Sequence, residues 1–254
     1  MSTVIVVQAR MTSTRLPGKA LLPIAGRPML AYLLERLRRV QRAARTVVAT
    51  TTNAGDDAIV SAAAACGVTC TRGPELDVLA RFAQAAEEAR ASIVVRVTSD
   101  CPLLDPAIVD AAIDTFLQAP GRYDYVSNML ELSYPYGMAV EVLSAAALAA
   151  ANAEATGEAE REHVTPFIYW RPERFKLGSV RIQPDLSSHR WTVDTKEDFE
   201  LVSRILETLY PRNPEFCMAD VLELLDEHPD WQEINRGVRQ KSVKRESSRS
   251  DHAP

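Results

Sequence analysis

The sequence of 254 residues lacks any apolar run that approaches the roughly 18 residues a membrane-spanning helix needs. A basic start, an apolar core and a small-residue cleavage site do not follow one another at the N-terminus, so we expect no secretion signal and a cytoplasmic location. Only four cysteines are present and paired Cys-x-x-Cys units are missing, which argues against a zinc site and favours reduced structural thiols. The net charge of −5 argues against a nucleic-acid-binding surface spread over the molecule. We therefore expect neither a membrane nor a nucleic acid as a partner.

Familiar nucleotide-binding motifs are also missing. The P-loop spacing and the dinucleotide pattern Gly-x-Gly-x-x-Gly do not occur. An Asp-x-Asp motif, which glycosyltransferases usually carry, is absent as well. The apolar fraction of 46% and the charged fraction of 25% are those of an ordinary soluble globular protein. If the chain binds a nucleotide, it does so through another arrangement of residues.

The most informative stretch lies at the start of the chain, where an apolar segment at 4–7 is predicted to be a strand. A short loop rich in hydroxyl groups and cations follows it, with Arg10, Ser13, Thr14, Arg15, Gly18 and Lys19. Arginine offers forked donors to phosphate oxygens, lysine offers a point charge, and the N–H groups of a turn can close such a cradle. A solvated basic loop is the alternative. Since nucleotide-binding α/β folds place such a loop directly after their first strand, we predict a polyphosphate site.

Strand and helix patterns alternate through the first half of the chain, which predicts a parallel sheet covered on both faces. Residues 93–97 are almost continuously β-branched, as expected for a central strand. From 128 to 180 the rhythm changes, and we interpret this segment as an inserted β/α excursion that carries an acceptor site and a dimer contact. Residues 158–169 are predicted to be helical and 191–193 to return to the sheet. We predict one domain over 1–236 and a disordered tail over 237–254.

Two acidic residues follow apolar segments that we predict to be neighbouring central strands, Asp100 after 93–97 and Asp194 after 191–193. The carboxyl ends of parallel strands point into the ligand crevice, so the two carboxylates should lie close together. Such a pair is unfavourable unless a cation lies between them. Mg²⁺ suits the position, because it accepts one or two carboxylates and completes its octahedron with phosphate oxygens and water. Helix capping is the alternative, and it fits Asp105 before Pro106 better than any metal role.

Six ordered motifs across the chain together resemble one family. They are 5–19, 73–82 (Gly-Pro-Glu-Leu-Asp-Val-Leu-Ala-Arg-Phe), 96–105 (Arg-Val-Thr-Ser-Asp-Cys-Pro-Leu-Leu-Asp), 124–128 (Asp-Tyr-Val-Ser-Asn), 161–166 (Arg-Glu-His-Val-Thr-Pro) and 190–195 (Arg-Trp-Thr-Val-Asp-Thr). The chain resembles the SpsF-like cytidylyltransferases of spore-coat and surface polysaccharide synthesis, relatives of the enzymes that make CMP-activated acidic sugars. The resemblance implies a Rossmann-like nucleotidyltransferase fold of the nucleotide-diphospho-sugar transferase type, with a mostly parallel mixed sheet flanked by helices.

The resemblance also implies a reaction and its residues. We expect a Mg²⁺-dependent cytidylyltransferase that transfers CMP from CTP to a sugar acid or another small anionic acceptor, acting as a homodimer. The residues expected in the site fall into four groups. They are Arg10, Arg15 and Lys19 at the phosphates, Ala9, Ser13, Arg72 and Asp77 at the nucleotide, Asp100 and Asp194 at the metal, and Glu141, Arg161 and His163 at the acceptor.

One departure from the family pattern leaves the reaction open. Family members usually read Gly-Leu-Asp-Val-Glu where this chain reads Gly-Met-Ala-Val-Glu at 137–141, so Ala139 replaces an acidic residue. The alternatives are another nucleoside triphosphate, a phosphonate or phosphorylated acceptor, a nucleotide-binding homologue that has lost catalysis, and a glycosyltransferase.

Overall fold

The computed structural model describes residues 2–240 and Val243, and they form an α/β fold. The strands are β1 (Thr3–Gln8), β2 (Pro23–Ile24), β3 (Arg27–Pro28), β4 (Arg45–Thr51), β5 (Thr69–Gly73), β6 (Ile93–Thr98), β7 (Tyr125–Ser127), β8 (Glu141–Ser144) and β9 (Leu177–Ser179). The helices are α1 (Met29–Leu37), α2 (Asp57–Ala65), α3 (Val78–Glu88), α4 (Pro106–Leu117), α5 (Ala145–Glu154), α6 (Glu158–His163), α7 (Pro166–Tyr169), α8 (Lys196–Leu209) and α9 (Met218–Glu227).

The main sheet has seven strands in the order β5-β4-β1-β6-β8-β7-β9. Strands β5, β4, β1 and β6 pair in parallel, β8 runs antiparallel to both of its neighbours, and β9 pairs in parallel with β7. The predicted mixed, mostly parallel sheet is therefore confirmed. The excursion extends the sheet, since it supplies β8 and β9 beside the parallel half.

The sheet has an apolar core on each face, because successive side chains of a strand point to opposite faces. In β6, Val95 and Val97 belong to the core that contains residues of α1, α4, α8 and α9. Val94 belongs to the core that contains residues of α3, α5 and α7. By the same alternation, Arg96 and Thr98 lie on the Val94 side of the sheet, where the apolar core gives way to polar residues.

Two predictions about secondary structure are wrong. Residues 191–193 are not a strand of the sheet, because none of them pairs with a neighbouring strand, and the isolated backbone bridge beside them joins Tyr136 and Arg190. The Val193 N–H instead donates to the carbonyl of Asp100 at 2.8 Å. The helix predicted over 158–169 is divided into α6 and α7 at Val164, whose positive φ of 73° cannot continue a right-handed helix.

Gly137 determines how closely the 190–192 segment approaches the turn that precedes β8. Its φ is 106°, and a Cβ built there would lie 2.5 Å from the backbone carbonyl carbon of Trp191. Only glycine fits such a backbone contact without moving one of the two segments. The contact fixes the backbone path at Trp191 and places Asp194 beside the end of β6.

The predicted disordered tail begins at 237, and residues 241–242 and 244–254 lie outside the described residues. The disordered tail and the single-domain boundary at 236 stay predictions. Within the described part, no helix is both long and apolar enough to cross a membrane.

Candidate active site

The loop after β1 is anchored by a buried carboxylate. Asp56 accepts a hydrogen bond from the Met11 N–H at 2.8 Å and others from Thr50 and Thr51. Burial alone would raise the pKa of Asp56, but these donors lower it below its ordinary value. The Gly18 N–H donates to the Met11 carbonyl at 2.9 Å, with Gly18 in the left-handed region at φ 71°. These bonds fix both ends of the loop that carries the predicted phosphate-binding cations.

The Lys19 ammonium lies between the two predicted metal-binding carboxylates. Its Nζ donates to Asp100 Oδ2, to Asp194 Oδ1 and to the Val193 carbonyl oxygen, each at 2.8 Å. Burial lowers the pKa of Lys19, but the two carboxylates outweigh it and raise the pKa above the ordinary value. Burial by itself would raise the pKa of Asp100, but Lys19 outweighs it and holds the pKa below the ordinary value, so Asp100 is a carboxylate. The predicted closeness of the two acidic residues is therefore what the geometry shows, with a protein cation between them.

Asp194 is held from its other side by two arginines. Its Oδ2 lies 2.8 Å from a terminal nitrogen of Arg15 and 3.2 Å from one of Arg190. Arg190 also donates through two nitrogens to the fully buried Asp198, at 2.8 and 2.9 Å. Asp198 accepts from the Thr195 N–H in the capping box at the start of α8. Helix α8 thus fixes Arg190, and Arg190 fixes Asp194.

The donor set fits a divalent cation. Two carboxylates and a carbonyl already converge on one positive charge, and oxygen ligands of this kind suit Mg²⁺. Among residues 2–240 and 243, no group of three or more His, Cys, Asp or Glu side chains gathers as a metal cluster. A Mg²⁺ ion here would therefore complete its coordination with phosphate oxygens and water.

These residues border a cavity of about 360 Å³, a volume typical of small-ligand sites. Seven of the predicted site residues line it: Arg10, Ser13, Arg15, Lys19, Asp100, His163 and Asp194. A neighbouring cavity of about 370 Å³ lies on the other side of Arg190, and Glu233 is the single carboxylate that lines it among the described residues. Because the paired carboxylates and the loop cations meet in the former cavity, it is the candidate active site.

The other five predicted residues lie outside the lining of this cavity. Ala9 is buried, and its N–H donates to the Ala49 carbonyl at 3.2 Å. Arg72 donates to the carbonyls of Thr51 and Asn53, both at 2.9 Å. Their assignment to the nucleotide stays a prediction.

Asp77 and Arg161 bind each other instead of facing the cavity. Arg161 Nε donates to Asp77 Oδ1 at 2.9 Å, and Arg161 also donates to the Asn152 carbonyl at 2.8 Å. Asp77 in addition caps α3 by accepting from the Ala80 N–H at 2.9 Å. This pair ties α6 to α3 and α5, and so it holds the part of α6 that reaches the cavity. The nucleotide role of Asp77 and the acceptor role of Arg161 stay predictions.

Helix α6 brings Glu162 and His163 to the mouth of the cavity. Glu162 lies 3.8 Å from Arg10 across the opening. Burial lowers the pKa of His163, so the imidazole is mostly neutral at pH 7. Cys101, the thiol beside Asp100, is buried, and burial raises its pKa, which excludes it as a ready nucleophile.

Sequence reasoning missed Arg96, Thr98 and Gln8, which also line the cavity. Arg96 carried a signal that could have revealed it, because a charge inside an almost continuously apolar strand requires a partner or a ligand. Its partner is Glu141, a predicted acceptor residue that is 7% exposed and lies beneath Arg96 in an ion pair.

The family model described as cytidylyltransferase matches residues 4–228. The chain belongs to the cytidylyltransferase family. It is a nucleotidyltransferase by that membership, as the motif resemblance predicted.

Relatives in sequence and structure agree with that assignment. The spore coat polysaccharide biosynthesis protein SpsF of Bacillus subtilis is 30% identical over 232 residues, covering 89% of this chain and 94% of the relative. A cytidylyltransferase structure from Leptospira borgpetersenii has a TM-score of 0.88 and 33% identity, covering 95% of this chain and 100% of the other. The structure of CMP:2-keto-3-deoxy-manno-octonic acid synthetase complexed with CTP has a TM-score of 0.64 at 18% identity, covering 82% and 99%. The last likeness concerns the fold, and it confirms the nucleotidyltransferase architecture.

Proposed function

We propose that this cytidylyltransferase family member transfers CMP from CTP to a sugar acid or another small anionic acceptor, with Mg²⁺ as cofactor and pyrophosphate as the leaving group. The observation that carries the proposal is the convergence of Arg10, Arg15 and Lys19 on the same cavity as Asp100 and Asp194. Cations for a triphosphate and carboxylates for a metal thus share one space. This is the equipment that nucleotidyl transfer needs, since positioning and charge neutralisation dominate phosphoryl chemistry.

The loop cations would bind the β- and γ-phosphates of CTP. Arg15 offers a planar fork of donors, and Lys19 offers a compact charge that can move from carboxylate to phosphate oxygens. As an acceptor oxygen attacks the α-phosphorus in line, the bond to the β-phosphate oxygen breaks and charge collects on pyrophosphate. Fixed cations at that position stabilise the developing charge without reorganising during the reaction.

Asp100 and Asp194 would hold the Mg²⁺ ion, which when bound to the α-phosphate oxygens neutralises their charge. Arg190 and α8 keep Asp194 in place. The backbone hydrogen bond from Val193 to Asp100 joins the two segments that carry the aspartates. The chain's own residues thus bind the triphosphate and orient its α-phosphate. A covalent intermediate on the protein is not required.

The acceptor class is supported by relatives and by charge. Four cationic side chains and three carboxylates line the cavity, which suits a polyanion together with a small acid. Two compared proteins carry names that refer to polysaccharide synthesis and to a sugar acid, respectively. Homodimer formation and a cytoplasmic location remain part of the proposal.

A pyrophosphate-release screen tests the proposal. Each of the four nucleoside triphosphates is combined with Mg²⁺ and a panel of acidic sugars, phosphonates and neutral sugars, and pyrophosphate is measured enzymatically. We expect release with CTP and at least one acid. Release with another triphosphate and not with CTP would show that the other triphosphate is the substrate. Binding of CTP without pyrophosphate release for any acceptor would indicate a nucleotide-binding homologue without catalysis.

A further inference from the structure

Arg96 is the cationic residue of the cavity that no expected role explains. It lies within β6, and its direct cross-strand neighbour on β8 is Glu141. The two form an ion pair, and a second terminal nitrogen of Arg96 donates to Gln8 Oε1 at 3.2 Å. Strand pairing therefore fixes the guanidinium on the floor of the cavity.

The carboxylate of Glu141 is itself fixed by hydrogen bonds inside the protein. Its Oε1 accepts from the Tyr125 hydroxyl at 2.7 Å and from the Thr165 hydroxyl. Glu141 and Thr165 are 7% and 2% exposed, and Tyr125 is 1% exposed. Both carboxylate oxygens of Glu141 are therefore engaged, one by Arg96 and the other by Tyr125 and by Thr165 at the start of α7.

The guanidinium still has donors available for a ligand. Two of its five N–H groups are used by Glu141 and Gln8. Its Nε is buried, without a hydrogen-bond partner among the described residues, and is closed to a ligand, so the donors left for one are the second N–H groups of the two terminal nitrogens. The side chain is 14% exposed, and that exposure lies where Arg96 lines the cavity. A buried, fixed guanidinium with unused donors is suited to a planar anion.

The position of Arg96 separates it from the triphosphate site. Arg96, Thr98 and Asp100 follow one another at intervals of two residues, so the first two lie on one face of β6 and Asp100 follows its end. Thr98 is the last residue of β6, so two residues of strand, roughly 7 Å between α-carbons, separate Arg96 from the end that precedes Asp100. The α-phosphate belongs near Asp100 and Asp194, and Arg96 lines the same cavity further back along β6. A ligand attacking the α-phosphate from this side would present its far end to Arg96.

We propose that Arg96 binds the acid group of the acceptor, and that Glu141 is the positioning residue that holds it. This inference rests on the proposed nucleotidyl transfer and adds the side chain that selects the acceptor. The ligand chemistry is a carboxylate, whose two oxygens match two parallel N–H donors of a guanidinium. A phosphonate is the other acid that the same donors could take.

Kinetics of two Arg96 variants test the assignment. Arg96→Gln removes the charge, Arg96→Lys keeps it without the fork, and Arg181→Gln is the control, since Arg181 is an exposed arginine in an ion pair with Glu131. Each protein is assayed with the best acid of the screen and with the methyl ester of that acid. Binding of CTP is measured separately by calorimetry.

For Arg96→Gln we expect the acceptor KM to rise roughly 30-fold and the preference for the acid over its ester to vanish, because a buried charge partner is lost. The CTP dissociation constant should stay within about twofold, because the triphosphate contacts other cations. Arg96→Lys should retain part of the preference. An unchanged preference in Arg96→Gln, or an equal weakening of CTP binding, overturns the assignment.

Two further measurements test the proposal if the Arg96→Gln variant does not fold or if the proposed nucleotidyl transfer fails. If Arg96→Gln does not fold, Arg96→Lys decides alone: a reduced acid preference supports the assignment, and an unchanged preference overturns it. If wild-type protein releases no pyrophosphate with any acceptor, nucleotidyl transfer fails, and binding of 3-deoxy-manno-octulosonate and glucuronate is measured by saturation-transfer NMR. Binding that is lost in Arg96→Gln and kept in Arg181→Gln still supports Arg96 as the acid-binding residue. Failure of wild-type protein to bind either acid overturns it.

Discussion

The two ends of the cavity use charge in different ways. At the outer end, Lys19 contacts both Asp100 and Asp194, and Arg15 and Arg190 contact Asp194 again. At the inner end, one guanidinium is paired with one buried carboxylate and still has unused donors. The outer end is a network of exchangeable ion pairs, and the inner end is a single fixed cation.

This difference reflects which parts of the chain build each end. The outer end comes from the loop after β1, the end of β6 and the segment before α8. The inner end depends on the antiparallel pairing of β6 with β8, which joins residues 45 positions apart. An exchangeable network suits a charged nucleotide and a metal that enter and leave. A fixed cation suits selection of one group on a small acceptor.

The largest effect is expected for Asp100→Asn, which removes half of the outer carboxylate pair. Turnover should fall on the order of 1,000-fold, as is typical when a preorganised electrostatic group is lost. If no cation lay between the two carboxylates, Asp100→Asn would relieve their repulsion and raise the melting temperature. Because Lys19 lies between them, we expect the free energy of unfolding to fall by about 1–3 kcal/mol instead. Steady-state kinetics and urea unfolding measure the two effects.

The pH dependence of that stability loss provides its control. The folded pKa of Asp100 is lowered, so its contribution is fully present above the unfolded value of about 3.9 and is lost as the pH falls through the folded value. The difference between wild type and Asp100→Asn should therefore be constant from pH 8 to about pH 5 and shrink below about pH 4. Asp230→Asn, at an exposed aspartate, should show neither effect. Wild-type turnover in Asp100→Asn would remove this residue from the mechanism.

The second effect compares the two loop cations. Lys19→Ala and Arg15→Ala should each cost about 2–4 kcal/mol of transition-state stabilisation. The larger loss is expected for Lys19, which has three oxygen partners and a side chain 12% exposed, against 29% for Arg15. Without Lys19 the two carboxylates repel each other, so Mg²⁺ alone should raise the melting temperature of Lys19→Ala more than that of wild type.

Differential scanning calorimetry with and without Mg²⁺ measures this shift. Lys176→Ala is the matched control, since the Lys176 ammonium is exposed and contacts only a backbone carbonyl among the described residues. Equal Mg²⁺ shifts in wild type and Lys19→Ala would show that the metal does not use the oxygens that Lys19 contacts. Ordinary activity in both loop variants would exclude the loop from catalysis.

The sequence predicted the outer end better than the inner end for a physical reason. Local signals mark a cationic loop after a strand, an aspartate at a strand end, and the cap at Asp105, which its hydrogen bond to the Ala107 N–H confirms. The Arg96–Glu141 pair depends on strand register between distant segments, which single-sequence periodicity does not encode. Residues 191–193 look like a strand because Trp, Thr and Val favour sheets, yet the contact with Gly137 and the bond to Asp100 determine their path.

A smaller effect should come from His163, which lines the cavity. Burial lowers its pKa, so NMR titration should give a value below 6.5, and the acceptor KM should be constant from pH 7 to pH 9 if this imidazole alone titrates. Because the neutral form is favoured in the folded state, stability should decrease as the pH falls from 7 to 5, and His163→Gln should flatten that decrease. A measured pKa above 6.5 would contradict a half-buried, neutral imidazole.

The smallest effect is expected at Ala139, where the resembling family usually has an acidic residue. Ala139 does not line the described cavity, and its neighbours are fixed, since the Asn128 amide donates to the Met138 carbonyl at 2.7 Å and accepts from the Val140 N–H at 2.9 Å. The outer carboxylates and both loop cations are in place, so we expect the native sequence to release pyrophosphate with some acceptor. Ala139→Asp should then leave CTP binding unchanged and reduce turnover by less than about tenfold, because an unpaired carboxylate disfavours an anionic acceptor. Calorimetry and the pyrophosphate assay distinguish the outcomes, and activity that appears only in Ala139→Asp would show that the native chain binds nucleotide without catalysing transfer.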